Sequence, residues 1–402
     1  MVSSSESGVE PQERFPLLGM LTLAAAIFAC LTSTFLPTGL LPELAEGMGV
    51  SQASTGLLVT VYSGAVVATA APLAALTRRL PRKALIVVVL ITFAATNLMI
   101  ALIPTYPVVV IARVLGGVAH GLFWAVAGAY PGHAVAPAQL PRAISIMAIG
   151  SSLALVLGVP AGTALGHALG WQLAFVAVAV TIVLLTIAVA LLLPSVRHID
   201  PDVPRASAPL RRDPGVPGVM LICVIGAVLM VGHYTFYTFL VPFVTDVAGF
   251  EEGWVSTLLL VYGVAGAAGL LLVGAIGRRA PAGGIVWTVF IVLCTVVVMG
   301  VFPQWQVLVV GGLVLWGAAL SILPALLQLW LLQTAGPRLR DVAFAWFTTS
   351  FNVGISAGAA IGALVLGAYG VGAVPFADAA ITVLCLALVV TGSRMLTRRS
   401  AH

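Results

Sequence analysis

The chain is 402 residues long, 61% hydrophobic and only 8% charged, with a formal net charge of +5. A soluble domain carries about 25% charged residues, so the water-soluble classes are excluded and an integral membrane protein is predicted. The basic excess, which in a soluble chain would suggest nucleic acid, here reports orientation across a bilayer instead.

Residues 1–14 hold Glu6, Glu10 and Glu13 against Arg14. The apolar run that follows, Phe15–Leu41, is too long for a signal-peptide core, so a cytoplasmic N-terminal tail is expected rather than a cleaved leader. Breaking the rest at charges, Pro and Gly-rich turns gives twelve spans: Phe15–Leu41, Gln52–Thr77, Ala84–Ile103, Pro107–Ala129, Ala143–Leu169, Trp171–Leu193, Gly218–Val244, Val255–Gly277, Gly283–Val301, Val307–Leu332, Val342–Tyr369 and Ala373–Gly392. Each is near or above the length needed to cross the hydrocarbon core, and backbone groups in lipid must be satisfied within the segment, so an all-α fold is predicted. Cys30, Cys223, Cys294 and Cys385 each stand alone in an apolar span, which suggests neither a disulfide framework nor a metal site.

Of the 18 Lys and Arg residues, only Arg113 falls inside a span. With the N-terminus placed inside, every other one lies in a tail or a cytoplasmic loop. The acids Glu43, Glu46, Asp246, Glu251, Glu252 and Asp378 fall on the opposite side. This obeys the positive-inside rule and predicts both termini in the cytoplasm of a multi-pass protein of the cell membrane. The longest polar stretch, Ser195–Pro217, is rich in Pro and Arg and divides the spans six and six. The expected units are a tail over 1–14, a bundle over 15–194, a cytoplasmic linker over 195–217, a second bundle over 218–393 and a tail over 394–402.

The halves repeat each other. Val61-Tyr62 matches Val261-Tyr262, and Thr77-Arg78-Arg79-Leu80-Pro81 matches Gly277-Arg278-Arg279-Ala280-Pro281, both at an offset of 200. The fifth span carries Gly158, Gly162 and Gly166, and the eleventh carries Gly354, Gly358 and Gly362. Two six-helix units in the same orientation are therefore expected, which is one plan of secondary transporters.

Arg113 is the residue on which a functional reading turns. A guanidinium cannot shed its proton, and at membrane depth such a group usually faces a bundle interior or a water-filled path. It lies several residues inside its span, which argues against simple snorkelling. His120 and Trp124 follow at seven and eleven residues, on the same helix face. His233 and Tyr237, one turn apart, share a face on the seventh span.

Three stretches make the chain similar to the major facilitator superfamily, and within it to the drug/proton antiporter branch, near bacterial arabinose-type, sugar and chloramphenicol efflux permeases. They are AALTRRLPRK at Ala74–Lys83, IARVLGGVAHGLFWAV at Ile111–Val126 and GSSLALVLGVPAGTALGHALGW at Gly150–Trp171. The resemblance runs from about Phe15 to Gly392. It implies twelve helices in two pseudo-symmetric six-helix bundles, and export of a small organic molecule (a drug, sugar or metabolite) in exchange for protons. It implies a gating loop at Arg78, Arg79, Arg82 and Lys83, and an antiporter packing motif at Gly158, Pro160, Gly162 and Gly166. It places the first, fourth, seventh and tenth helices around the cavity. Candidate lining residues are then Thr34, Thr38, Arg113, His120, Trp124, His233, Tyr237, Trp316 and Gln328, with Asn352 from the FNVGISAGA stretch.

Two features depart from those relatives. Arg78 stands where the loop motif often has an Asp, and Thr34 where a membrane-embedded Glu is often found. No acid is expected at mid-span, Asp246 and Asp378 coming nearest at outer helix ends. Proton coupling would then fall to His233 first, with His120 and Arg113 as the other candidates, since an unperturbed His titrates near pH 6.5. The alternatives are an uncoupled facilitator or a proton symporter. A membrane-embedded enzyme is disfavoured, because the sequence has no HExxH pair, no GxSxG elbow and no membrane carboxylate dyad. No cofactor is expected. The expected partners are the solute, protons and membrane lipid, without nucleic acid, for a monomer.

Overall fold

The computed structural model describes residues 15–77, 80–128, 130–135, 139–194, 215–277, 281–335 and 339–400. Arg78, Arg79, the tail over 1–14 and most of the linker lie outside the described residues. Twelve helices among those described are long and apolar enough to span a membrane. In chain order they are α1 (Leu17–Gly39), α2 (Gln52–Leu73), α3 (Arg82–Leu102), α4 (Tyr106–Ala127), α5 (Arg142–Leu169) and α6 (Trp171–Leu192). The second set is α7 (Val216–Tyr237), α8 (Glu252–Val273), α9 (Gly283–Val301), α10 (Gln306–Thr334), α11 (Val342–Tyr369) and α12 (Val371–Ser393). The α12 helix itself continues to Ser400, so the last residues are helical where a tail was expected.

The chain starts and ends at one end of the bundle, termed here the terminal end; the other is the loop end. One apolar core is built from α1–α6 alone, from Met20 to Leu193. The other belongs to α7–α12 but takes in Leu41, Val59 and Val159 from the first half. All three lie toward the loop end or mid-depth, so the halves share a core there.

The sequence repeat is a repeat of contacts. Gly117 of α4 and Gly317 of α10 each press on α2 or α8, where a Cβ would collide with the carbonyl of Tyr62 or of Tyr262. Small residues let membrane helices approach this closely. The glycines of α5 pack on α1 in the same way. A Cβ would strike Thr32 at Gly158, would lie 2.8 Å from Leu36 at Gly162, and 2.6 Å from Leu40 at Gly166. In the second half, Gly354, Gly358 and Gly362 lie against the backbone carbonyls of Ala227, Val231 and Thr235 on α7. Just before Pro160, α5 opens into a π-helical stretch over Ala154–Gly158. The proline is thus absorbed by a widened turn rather than a break.

Arg82 and Lys83 open α3, in its first turn.

Candidate functional site

The site begins with Arg113, seven residues into α4 and so roughly 10 Å below the loop end. Its residue is only 3% exposed, which excludes snorkelling. Its Nε donates to the Leu58 carbonyl at 3.4 Å and one Nη to the Thr34 carbonyl at 3.3 Å. Its guanidinium carbon lies 4.0 Å from the centre of the Tyr62 ring. Arg113 thus ties α4 to α1 and α2 without forming an ion pair with an acid among the described residues. A guanidinium has five N–H donors, and these contacts use two.

Thr34 is the hub beside it. Its hydroxyl lies 2.8 Å from the Cys30 carbonyl, to which it donates, 2.9 Å from the Tyr62 hydroxyl and 3.3 Å from His120 Nδ1. Tyr62 meets the His120 ring edge-on at 5.5 Å. Behind this group, Ser33 and Asn97 bond each other at 2.8 and 3.1 Å, joining α1 to α3.

Arg113, Thr34, Tyr62 and His120 line a cavity with Thr38, Phe35, Val59, Ser63, Asn352 and Ile355. The expected Thr34, Thr38, Arg113, His120 and Asn352 are therefore brought together. The lining also draws on α2 and α11, which the pattern of first, fourth, seventh and tenth helices did not include. Tyr62 and Ser63 were missed. The matched Val61-Tyr62 pair was the signal that could have found Tyr62.

The other expected residues go elsewhere. His233, Tyr237 and Trp316 form a buried aromatic cluster in the second half. The His233 ring stacks on Tyr237 at 5.0 Å and meets Trp316 at 5.0 Å. Tyr262, the counterpart of Tyr62, joins it 5.4 Å from Tyr237. Trp316 is fully buried and stacked on Phe236, so it belongs to the core of the second half rather than to the cavity lining. Trp124 and Gln328 lie nearer the terminal end, half-buried and outside the cavity lining, with Trp124 at 6.3 Å from His120.

The cavity is closed toward the loop end by contacts between the halves. Thr60 of α2 and Ser356 of α11 exchange hydrogen bonds, hydroxyl to carbonyl in both directions, at 3.1 and 3.0 Å. Gly56 of α2 lies under the Phe239 ring, and Gly263 of α8 packs on the π-helical stretch of α5 at Leu155 and Val156. At the same end His167 Nε2 lies 2.6 Å from a Glu43 carboxyl oxygen.

Two buried polar groups of the second half stand out, one expected and one not. His233 Nδ1 is buried without a hydrogen-bond partner among the described residues. Asp378 lies in the second turn of the α12 helix, near the outer end where it was expected, and is fully buried there. Its distance from the nearest loop, counted along the chain, hides the packing of α12 against α7 that encloses it.

Comparison with known proteins agrees with this architecture. The sequence profile of the Major Facilitator Superfamily matches residues 22–341. A "Probable sugar efflux transporter" of Helicobacter pylori (strain G27) is 28% identical over 374 residues, covering 93% of this chain and 95% of the relative. The fold matches the inward-facing, unoccupied crystal structure of a bacterial homologue of the human lysosomal transporter Spinster, with a TM-score of 0.77, 16% identity and 96% and 99% of the two chains covered. It also matches the POT family transporter PepTSo, with a TM-score of 0.78, 11% identity and coverage of 94% and 98%. The chain belongs to the major facilitator superfamily, and it is a multi-pass membrane transporter rather than an enzyme.

Proposed function

We propose that this member of the superfamily exports a small polyhydroxylated solute of the sugar class, by alternating access and in exchange for protons. The observation that carries the reading is the cavity between the halves, shut toward the loop end and lined by Arg113, Thr34, Tyr62, Ser63, His120 and Asn352. A sugar offers many hydroxyl donors and acceptors around an apolar ring face. The cavity offers hydroxyls, an amide, an imidazole and spare guanidinium donors, with aromatic and aliphatic walls, which is the mix that orients such a ligand. The sugar-efflux name of the Helicobacter pylori relative supports the same class.

The basic residues place the terminal end in the cytoplasm and the chain in the cell membrane. On that orientation the cavity is shut to the outside, and Trp124 and Gln328 lie on the inward route. The tight α1–α5 and α7–α11 packing lets each half move as a body about the contacts that the halves share. Arg82 and Lys83 sit where anionic lipid headgroups lie.

The test is transport by purified protein in liposomes, with radiolabelled arabinose, lactose and a chloramphenicol control offered on either side. Saturable exchange of a sugar, reduced at least tenfold by Arg113→Ala, is expected. Exchange of chloramphenicol but no sugar would overturn the substrate class.

A further inference from the structure

The proposed substrate contacts leave the buried carboxyl of α12 without a role. Asp378 is 0% exposed and lies four residues into the α-helical part of α12, which starts at Val374 after a 3-10 turn, roughly 6 Å from its outer end. One carboxyl oxygen, Oδ1, accepts from the Thr382 hydroxyl at 2.9 Å. The other, Oδ2, is buried and without a hydrogen-bond partner among the described residues. The carboxyl is pressed against α7, where a Cβ on Gly232 would lie 2.7 Å from Oδ1. The next residue is His233, whose Nδ1 is likewise buried and unpartnered.

None of the groups around it is a fixed cation. The spans α7–α12 contain no Lys or Arg. The titratable side chains on the neighbouring elements are Cys223, His233, Tyr234 and Tyr237 on α7, Tyr262 and the exposed, helix-opening Glu252 on α8, Cys294 on α9, Tyr369 on α11 and Cys385 on α12 itself. Of these, Cys294 and Tyr369 are exposed. Asp246, on the π-helical stretch Phe243–Val247 after α7, is also exposed and accepts from Thr245. The sixth helix of the first half, α6, carries no charged residue at all. The acid is thus a feature of one half, not of the repeat.

An unpaired carboxylate costs far more to bury than a carboxyl, and intramembrane acids are commonly functional. The packing of α7 on Asp378 is therefore compatible with a carboxyl and strained by a carboxylate. The α7 helix stops at Tyr237, and the chain resumes as a short helix over Leu240–Pro242. That break frees the loop end of α7 to swing from α12 and let water reach Oδ2.

We propose that Asp378 carries the proton that drives transport, taking it up from the outside when the loop end of α7 parts from α12. One proton adds to Oδ2 and no other bond is made or broken; the carboxyl then permits α7 to close, and the proton leaves to the cytoplasmic side when the other end opens. The inference rests on the exporter reading for its direction.

The test uses the full chain with Cys294→Ser and a reporter, Ser63→Cys, which lines the cavity. In intact cells an impermeant thiol reagent reaches that reporter only when the loop end opens. With Asp378 present, labelling should slow as the outside is acidified, by up to about tenfold per pH unit for one linked proton. Asp378→Asn, a permanent mimic of the carboxyl, should label slowly at every pH in the reporter background, and in the chain without the reporter it should keep arabinose counterflow in liposomes while losing gradient-driven movement. Labelling of Asp378→Asn that follows outside pH as before would overturn the proposal. If that variant fails to insert, Thr382→Val retains the acid and removes its hydroxyl partner, and an unmoved labelling midpoint overturns the proposal equally. Absence of arabinose counterflow in the unmodified protein, with pH-dependent labelling that requires Asp378, would sink the sugar reading and leave this one standing.

Discussion

Replacing Arg113 with Ala separates a binding role from a structural one. The two carbonyls that Arg113 holds, Thr34 and Leu58, lie inside α1 and α2 and keep their helical N–H partners without it. The variant also sheds a buried cation with no carboxylate beside it. Folding stability should change by no more than about 1 kcal/mol, because the lost long bonds are offset by the lost desolvation cost. The ligand loses more. A hydrogen bond to a charged group contributes about 1.5–3 kcal/mol, so Kd should rise roughly 10- to 150-fold at 1.4 kcal/mol per decade. Arg113→Lys should recover little of this, since an ammonium on a flexible stem does not reproduce the planar fork over Tyr62. Calorimetric titration with the sugar that exchanges best reads the first effect, and thermal melting the second. A variant that melts like the parent and binds with unchanged Kd would show that the guanidinium is a strut between α1, α2 and α4 and not a ligand contact.

Three further outcomes follow from the packing and the charge distribution. Gly117→Val and Gly317→Val should destabilise by similar amounts, about 1–3 kcal/mol each from overpacking, as a drop in melting temperature; a large effect at only one of them would deny that the α2–α4 and α8–α10 contacts are equivalent. Ser356→Ala removes one of the two bonds that close α2 on α11, about 0.5–1.5 kcal/mol, and should speed thiol labelling of Ser63→Cys from outside about two- to thirteenfold. A cysteine at Ser207, in the linker outside the described residues, should escape an impermeant thiol reagent in intact cells; its labelling would reverse the assigned orientation.

The fold was readable because lipid makes hydropathy nearly decisive. The twelve predicted spans correspond to α1–α12 with shifts of a few residues at the ends. The burial of Arg113 was readable for the same reason, since one charge in an apolar span has few places to go. Asn352 was readable too, but the share of the cavity that falls on α2 was not. The polar residues of α2, among them Ser54, Thr55, Thr60, Tyr62 and Ser63, are spread around the helix, so no stripe marks the face turned inward, and the Ser33–Asn97 and Thr34–Tyr62 contacts depend on helix rotations that only packing sets. Trp316 was misplaced for a related reason. Its position fits either a cavity wall or a core, and the stacking on Phe236 decides for the core. The burial of Asp378 was not readable because sequence distance from a loop measures depth and says nothing about which neighbour closes over the side chain.

Thr34 brings these threads together. The sequence alone suggests that an acid at this position would restore a missing proton site and make transport more dependent on the gradient. The structure argues for a different result. The Thr34 side chain lies within hydrogen-bond reach of Tyr62 and His120, and its own carbonyl already takes a donor from Arg113. A carboxylate placed there by Thr34→Glu would sit at the edge of the guanidinium and claim the donors left for the solute. The pair would be held by charge-assisted bonds, shorter and stronger than those Arg113 now makes. Sugar affinity should therefore fall by at least tenfold, close to the loss from removing Arg113. The dependence of net transport on the pH gradient should stay as it is, because the coupling acid is in α12 and is untouched. Parallel measurement of Kd and of gradient-driven flux tests both halves of this claim. A variant that keeps its affinity and gains gradient dependence would mean that coupling resides in the first half, around Thr34, Tyr62 and His120.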